Sequence, residues 1–289
     1  YNYSPNLDSS LHRSDPDSVR QNWNGVTRYL GSSAGSILEQ NMSFLEIWMK
    51  VDATNEEDYR KGRLHVSLGR VSEDVIPNRR LNSEDLIPGP SNPLGFPNGI
   101  LNPTEEDFGI DTMSDARERT VFAQFVQNNA GDLDVNPVDP SGDNWGYTSG
   151  LNDFSRIDGV EGNGNSVDGR LPDSEDLSGN GIAELDNEYA EYEIPLDTLY
   201  IARDGTLTQN RYIAGGGDGP WFQYRIPLLD PDTIAGSAVS IQDVLRNVQY
   251  VRLWVSGFAD SVKIRIAEMG LVGNQWQERL TNDSVMSIS

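Results

Sequence analysis

The chain has 289 residues with 36% apolar side chains, which is enough material for one large β-domain or two smaller domains. Its formal net charge of −23 argues against nucleic acid and anionic lipid surfaces as partners, because both reward Lys and Arg. There is no cysteine, so disulfides and thiolate sites are excluded. His12 and His65 are the only histidines, and their unrelated contexts leave little material for a zinc site or a Ser-His-Asp triad.

The first segment, residues 1–24, is polar and rich in Asn and Ser, and we expect it to be irregular until it docks on something. No run reaches the roughly 18 apolar residues of a transmembrane helix, and the start lacks the basic and then apolar pattern of a secretory signal. We therefore expect a piece of a longer protein, with any signal peptide or membrane part outside it and no direct membrane insertion by this segment.

The first regular elements are strands. Residues 42–51 alternate, with Leu45, Ile47 and Met49 on one face, and residues 63–71 repeat the pattern with Leu64, Val66 and Leu68 inward and Arg63, His65 and Ser67 outward. The charged segment 52–61 joins them. This spacing predicts a hairpin-like pair.

The middle of the chain, residues 74–188, loses this regularity. Pro and Gly recur from Ile87 to Gly99, which is typical of long excursions built from turns. Residues 112–127 predict a helix that begins after Ser114 as N-cap, with Val121, Phe122 and Phe125 on one side. Most of the Asp, Asn and Gly clustering follows, in residues 128–187.

Strands return at Tyr189. Alternation predicts further strands around Tyr192 and Ile194, from Phe222 to Ile226, from Val251 to Val255 and from Val262 to Ile266. The last two are predicted to form a hairpin through residues 257–260. A helical turn is predicted at 240–246, and strands from the two ends of the sequence are expected to pair.

These paired, half-polar strands, without sustained strand-helix alternation, predict an all-β fold: an antiparallel, jelly-roll-like β-sandwich. We expect one domain over residues 25–289, interrupted by a long loop-rich insertion at 74–188 that is rich in Asp, Asn and Gly.

The most specific local pattern is a nine-residue run that resembles the start of an EF-hand calcium loop. Oxygen ligands at positions 1, 3, 5 and 9, a glycine at 6 and a backbone carbonyl at 7 wrap one hard cation. The predicted ligands are Asp176, Ser178, Asn180, Ile182 and Glu184, with Asp168 and Asp173 closing the coordination sphere.

The calcium pattern is incomplete. Asn187 stands at position 12, where a bidentate Glu is expected, and no flanking helices are evident. The plain alternative is that Asp, Asn and Gly simply form turns here. The excess of acidic residues between Asp153 and Glu188 favours a cation, since the loop would otherwise repel itself.

The sequence allows two other kinds of chemistry. Glu56-Glu57-Asp58 and Glu105-Glu106-Asp107 could be imagined as glycosidase carboxylates, but they lie in polar runs, so surface positions are favoured. The tryptophans allow a carbohydrate platform, although Trp48 and Trp254 fit a second packed layer better. We therefore expect no catalytic role.

Several blocks, in order, resemble the SprA (Sov) family. They are Asn22–Leu30, Glu46–Met49, Leu68–Asp74, Phe108–Asp115, Asp139–Asn144, Glu161–Asn163, Pro172–Gly181, Trp221–Leu228, Val251–Trp254 and Gly270–Trp276. Members of this family are giant outer-membrane translocon proteins of the type IX secretion system of Bacteroidota. The resemblance spans nearly all of residues 22–276.

The resemblance implies a segment of a chain that forms a very large β-barrel and exports folded cargo, such as gliding adhesins, that bears a C-terminal secretion signal. It implies a soluble insertion in the extracellular cap, with the periplasmic side as the other possible location. Together with the calcium pattern around Asp176, this leads us to expect a non-enzymatic, calcium-stabilised segment. The implied partners are the barrel, its accessory proteins and secreted cargo. A calcium-dependent carbohydrate-binding module or cell-surface adhesin is the alternative function, by analogy of fold alone.

Overall fold

A computed structural model of the chain describes residues 20, 23–31, 37, 39–53, 55–90, 93–102, 105–106, 109–110, 113–128, 130, 136–140, 171–216, 219–237, 240–260 and 262–273. The strands are β1 Trp23–Tyr29, β2 Met42–Ala53, β3 Arg63–Arg70, β4 Glu188–Pro195, β5 Leu199–Ile201, β6 Leu207–Gln209, β7 Ile213–Gly216, β8 Phe222–Pro227, β9 Thr233–Ile234, β10 Tyr250–Ser256 and β11 Val262–Gly273. The helices are α1 Glu56–Lys61, α2 Asp115–Val121, α3 Ala123–Asn128 and α4 Ile241–Arg246, with a 3₁₀ turn at Glu84–Leu86.

The strands form two main antiparallel sheets. Sheet 1 has the order β1-β10-β3-β4-β9, sheet 2 has the order β11-β2-β8-β7, and β5 pairs with β6. The prediction of an all-β, antiparallel, sandwich-like fold is confirmed. Pairing of strands from the two ends of the sequence is also confirmed, because β1 pairs with β10 and β2 with β11.

Both predicted hairpins are wrong. β2 and β3 lie in different sheets, joined through α1, and the short connection after β10 likewise carries the chain into the other sheet to begin β11. Alternation of apolar side chains fixes which face of a strand is buried, but it does not fix which strand is the neighbour. The connections therefore cross the sandwich instead of turning back within one sheet.

The core lies between the two sheets. Leu45, Ile47 and Met49 of β2 face it as predicted, and so do Leu64, Val66 and Leu68 of β3. Two buried tyrosines tie the layers together: the Tyr192 hydroxyl donates to the Leu228 carbonyl at 2.6 Å, and the Tyr224 hydroxyl donates to the Leu196 carbonyl at 2.8 Å. These bonds place β4 against β8.

Arg63, His65 and Ser67 lie on the outward face of β3 as predicted, but this face is buried too. The Arg63 guanidinium pairs with Glu193 at 3.2 Å and lies over the ring of Tyr200 in the β5–β6 pair. The second face of β3 therefore buries polar side chains, and neighbouring side chains supply their hydrogen bonds and ion pairs.

The chain between β3 and β4, residues 71–187, leaves and returns to adjacent strands of sheet 1. In its described residues it contains no strand, only an isolated bridge between Ser83 and Ser174. The predicted helix is present but breaks at Phe122 into α2 and α3, and the Ser114 side chain makes no capping bond. None of the described helices is long and apolar enough to span a membrane.

Candidate functional site

A cleft of about 450 Å³ lies where the loops of the long segment fold back onto the outer face of sheet 1. Its floor is formed by alternate residues of β1, with Arg252 of β10 beside them, because side chains at every second position share one face of a strand. The β1 residues are Trp23, Gly25 and Thr27. The cleft is therefore built on a rigid sheet rather than on loops alone.

Two loop segments form its walls. The apolar wall residues are Val71, Val75, Pro77, Leu177 and Leu185, and the polar ones are Ser72, Glu73, Asp74, Arg79 and Asn187. This mixture suits a partner that offers both apolar and polar groups. Gly25 has to be glycine, since a Cβ there would lie 2.6 Å from the Cβ of Trp254 on the paired strand.

Glu73 holds the two walls together. Its Oε1 accepts hydrogen bonds from the Ser178 N–H at 2.9 Å and from the Tyr250 hydroxyl at 2.8 Å, and its Oε2 accepts one from the Glu184 N–H at 3.0 Å. The side chain is almost fully buried. Burial raises the pKa of Glu73, and these hydrogen bonds act in the opposite direction.

The run predicted to bind calcium forms one wall of the cleft. Asp176 accepts hydrogen bonds from the backbone N–H groups of the residues that follow it, including Gly179 at 2.7 Å and Gly181 at 2.6 Å. Asn180 bonds to Glu184 at 2.8 Å. The structure thus brings together Asp176, Ser178, Asn180 and Glu184 in one tight turn.

The other predicted ligands are placed differently. Asp173 is anchored below the loop, where its N–H donates to Glu84 at 2.7 Å and its carbonyl accepts from the Ser83 hydroxyl at 3.0 Å. The Ile182 side chain is exposed, and only its carbonyl was predicted as a ligand. Asp168 lies outside the described residues.

The oxygen atoms of this loop decide whether calcium fits it. Across the part of the chain that the structure describes, no group of three or more His, Asp or Glu side chains is arranged to hold a metal ion. The loop itself offers the carboxylates of Asp176 and Glu184, with hydroxyl, amide and carbonyl oxygens around them, which are ligand types that calcium takes. Hydrogen bonds to Asp176 already shape the turn.

Sequence reasoning missed a set of buried carboxylates that anchor the loops through backbone N–H groups. Glu175 accepts from Ile76 at 2.8 Å and Asn82 at 2.9 Å, and burial raises its pKa. Glu84 accepts the N–H groups of Gly109 and Asp173, and Asp85 accepts those of Asn98 and Gly99. Between Asp153 and Glu188, where the acidic excess predicts a cation, backbone N–H groups therefore offset part of the negative charge, at Glu175 and Asp176. No local pattern in the sequence distinguishes these acids from exposed ones.

The surface positions predicted for the two acidic runs are wrong for Asp58 and Glu106, which are buried. Glu56 and Glu57 are exposed on α1 and pair with Arg60 and Lys61. Asp58 is buried and accepts from the Ala259 N–H at 3.1 Å. Glu106 is buried and accepts from the Asn102 N–H, while Asp107 lies outside the described residues.

An aromatic row crosses sheet 1 next to the cleft. The Trp254 ring stacks on His65 with centroids 3.5 Å apart, and Trp23 meets Trp254 edge-on at 6.0 Å. His65 also bonds to Ser256 at 2.9 Å. Trp254 is thus used in packing on this face, whereas Trp23 also contributes to the cleft floor.

Comparison with known proteins adds one finding. Residues 148–287 match the model of the SprA_N family, described as a motility related/secretion protein. None of the curated proteins matches the chain. The matched part includes the loop around Asp176 and strands β4 to β11, while β1 and the first cleft wall precede it.

Proposed function

Because residues 148–287 are a SprA-family segment, we propose that this chain is a non-enzymatic structural part of a secretion and motility machine in the cell envelope. The observation that best supports a structural role is the way the long loops are held. Their buried acids, Glu73, Glu84 and Glu175, each accept backbone N–H groups. Acids used in this way fix loop shape on a rigid sheet, as a docking element requires.

We place the segment at the extracellular face of the outer membrane, in the cap over the translocon barrel. The cleft is the surface we assign to contact with the barrel, its accessory proteins or passing cargo. It is lined by apolar side chains and by two arginines, Arg79 and Arg252. A protein surface that carries an apolar side chain next to a carboxylate would match it.

The export role is tested in cells with the full-length parent protein. Trp23→Ala combined with Arg252→Ala alters the cleft, and we expect reduced export of a cargo that bears a C-terminal signal and reduced spreading on a surface. Arg203→Ala, at an exposed site away from the cleft, is the control. Normal export by a cleft variant present at wild-type levels would remove the cleft from the proposal.

Calcium is the second part of the proposal. Asp176 and Glu184 would hold the ion together with the oxygens of Ser178 and Asn180 and the carbonyl of Ile182, and the ion would stiffen the cleft wall. Because hydrogen bonds already form the turn, we expect binding in the weak range of extracellular sites, roughly 0.1–1 mM, and a modest rise in Tm.

Calorimetric titration of the chelator-treated protein with calcium, paired with thermal unfolding, tests this part. Asp176→Asn should abolish both the heat and the rise in Tm, whereas Asp204→Asn, on the β5–β6 turn, should change neither. Absence of heat and of stabilisation in the wild type would refute the calcium site. The export role would then rest on the family match.

Carbohydrate binding remains a second candidate because Trp23 lines the cleft beside polar side chains. An aromatic face next to hydroxyl, amide and guanidinium groups is a common arrangement for sugars. Binding on a glycan array that Trp23→Ala abolishes would favour an adhesin. A blank array would dismiss it.

A further inference from the structure

One side of the sandwich leaves part of its interior uncovered. On β11, Ile266, Met269 and Leu271 lie opposite the core residues Met49, Ile47 and Leu45 of β2, so their side chains are on the inward face of sheet 2. They are nevertheless 41%, 39% and 39% exposed. Three large apolar side chains that face inward are thus in contact with water.

Sheet 1 also has an inward-facing apolar side chain that is exposed to water, at its β1 edge. Val26 of β1 lies opposite Leu253, which packs on the core, yet Val26 is 63% exposed. β4 lies against β8, and the short connection from Ser256 to Val262 keeps β10 next to β11, so the strand orders place β3 against β2 and β10 against β11. β1 then projects one strand beyond sheet 2, and no described strand lies opposite it.

We call the surface formed by Val26, Arg28, Ile266, Met269 and Leu271 the open seam. We propose that the open seam accepts one extended strand from another polypeptide segment, which pairs with the outer edge of β11 and lies beneath β1. β11 is the last strand of sheet 2 among the described residues, so the backbone groups that it does not use with β2 point to this edge. A strand added there would satisfy them and cover the apolar side chains.

The open seam also specifies the chemistry of its occupant. The incoming strand needs an apolar side chain at every second residue, facing inward in register with those of β11. Arg28 is exposed on the inward face of β1, and no ion pair connects it to another described residue. The incoming strand should therefore carry an acidic residue near one end, opposite Arg28.

The geometry disfavours a second copy of this chain as the occupant. If two copies joined edge to edge through β11, the projecting β1 of each would occupy the space taken by β10 of the other. The net charge of −23 on each copy adds repulsion. A single strand from a different segment avoids both problems, and this holds whether or not the export role is correct.

The first test asks whether the open seam is exposed in the isolated chain. Met269→Lys should leave Tm nearly unchanged, since this side chain is already in contact with water. Ile47→Lys, on the partner position in the core, should unfold the protein. A large loss of Tm in Met269→Lys would mean that the chain already covers the seam, which would overturn the proposal.

The second test asks for the occupant. A phage-displayed library of random peptides as long as β11 is selected on the wild-type chain, and an enriched peptide is synthesised for calorimetry. We expect alternating apolar residues and an acid, with binding at least about tenfold weaker to Met269→Lys and to Arg28→Glu. Leu229→Lys, which alters an exposed apolar side chain elsewhere, should bind normally.

Three outcomes would refute the strand-acceptor proposal. They are a selection without enrichment, binding that Met269→Lys does not weaken, and a dimer of the peptide-free chain in analytical ultracentrifugation that Met269→Lys dissociates. The last result would assign the open seam to a second copy instead.

Discussion

Glu73 and Tyr250 are joined by a 2.8 Å hydrogen bond between a buried carboxylate and a buried phenol. Glu73 follows β3 at the start of the long segment, and Tyr250 is the first residue of β10. This bond therefore connects the loop walls of the cleft to the framework of sheet 1. Its removal should affect both stability and cleft shape.

Glu73→Gln should lower the free energy of unfolding by about 2–4 kcal/mol, because an amide NH₂ group would face N–H or O–H donors in a buried site. Tyr250→Phe, which leaves the two backbone donors in place, should cost about 1–2 kcal/mol. Urea unfolding measures both. Glu56→Gln, at an exposed position on α1, should stay within about 0.5 kcal/mol of the wild type, and an equal loss there would contradict the role given to Glu73.

Stability should depend on pH through the buried acids. Burial raises the pKa of Glu175, so its ionised form is disfavoured in the folded state, and the stability present at low pH is lost as pH rises through the folded pKa. Between its ordinary value of 4.5 and that raised pKa, the wild type should lose stability with rising pH more steeply than Glu175→Gln.

Urea unfolding of the two proteins at about pH 5 and about pH 7 measures this difference. The stability advantage of the wild type over Glu175→Gln should be smaller at the higher pH. An advantage that grows with pH would mean that the folded-state pKa of Glu175 is lowered instead.

Gly69→Ala should destabilise the fold by roughly 2–4 kcal/mol. Gly69 lies inside β3 with φ +148°, and a Cβ there would come within 2.3 Å of the Glu188 carbonyl oxygen on β4. Gly99→Ala is the matched control, since Gly99 has φ +72° and open space around it, and only the backbone strain of about 1 kcal/mol is expected. Equal losses in thermal unfolding would indicate that the contact with Glu188 has no energetic weight.

Asp85→Asn should loosen the loop from Leu94 to Ile100 without unfolding the sandwich. Asp85 accepts the backbone N–H groups of Asn98 at 2.8 Å and Gly99 at 2.7 Å, and an asparagine can satisfy only one of them well. Chymotrypsin cleavage after the exposed Leu94 should become about tenfold faster if local opening is eased by about 1.4 kcal/mol. Asp204→Asn should not change the rate.

The strands of the fold could be predicted because their apolar side chains alternate. The residues that pack in the core as expected are Leu45, Ile47, Met49, Leu64, Val66, Leu68, Val262 and Ile264. The partners of these strands could not be predicted locally: β3 pairs with β4 and β10, and both lie far along the chain. The buried second face of β3 was also missed, because His65 and Arg63 are polar and reveal their partners only in three dimensions.

The candidate site was predicted only in part. The tight turn at Asp176 follows from the spacing of Asp, Asn and Gly, whose side chains and backbone favour such turns. The cleft could not be foreseen, since it needs β1, β10 and two loop segments that approach one another only after folding. The local sequence around Glu73 and Glu175 does not predict that they are buried. A buried acid is identified by the backbone N–H groups that bond to it, and these are known only from the structure.

The pairing of β1 with β10 and of β2 with β11 also has a consequence for biosynthesis. When the ribosome has made β1, β2 and β3, their sheet partners have not yet been synthesised. The apolar faces of these strands therefore stay uncovered until nearly the whole domain has been made. Folds dominated by such distant contacts close slowly and are prone to aggregate before closure. We therefore expect truncation after β8 to yield an insoluble product rather than a smaller domain.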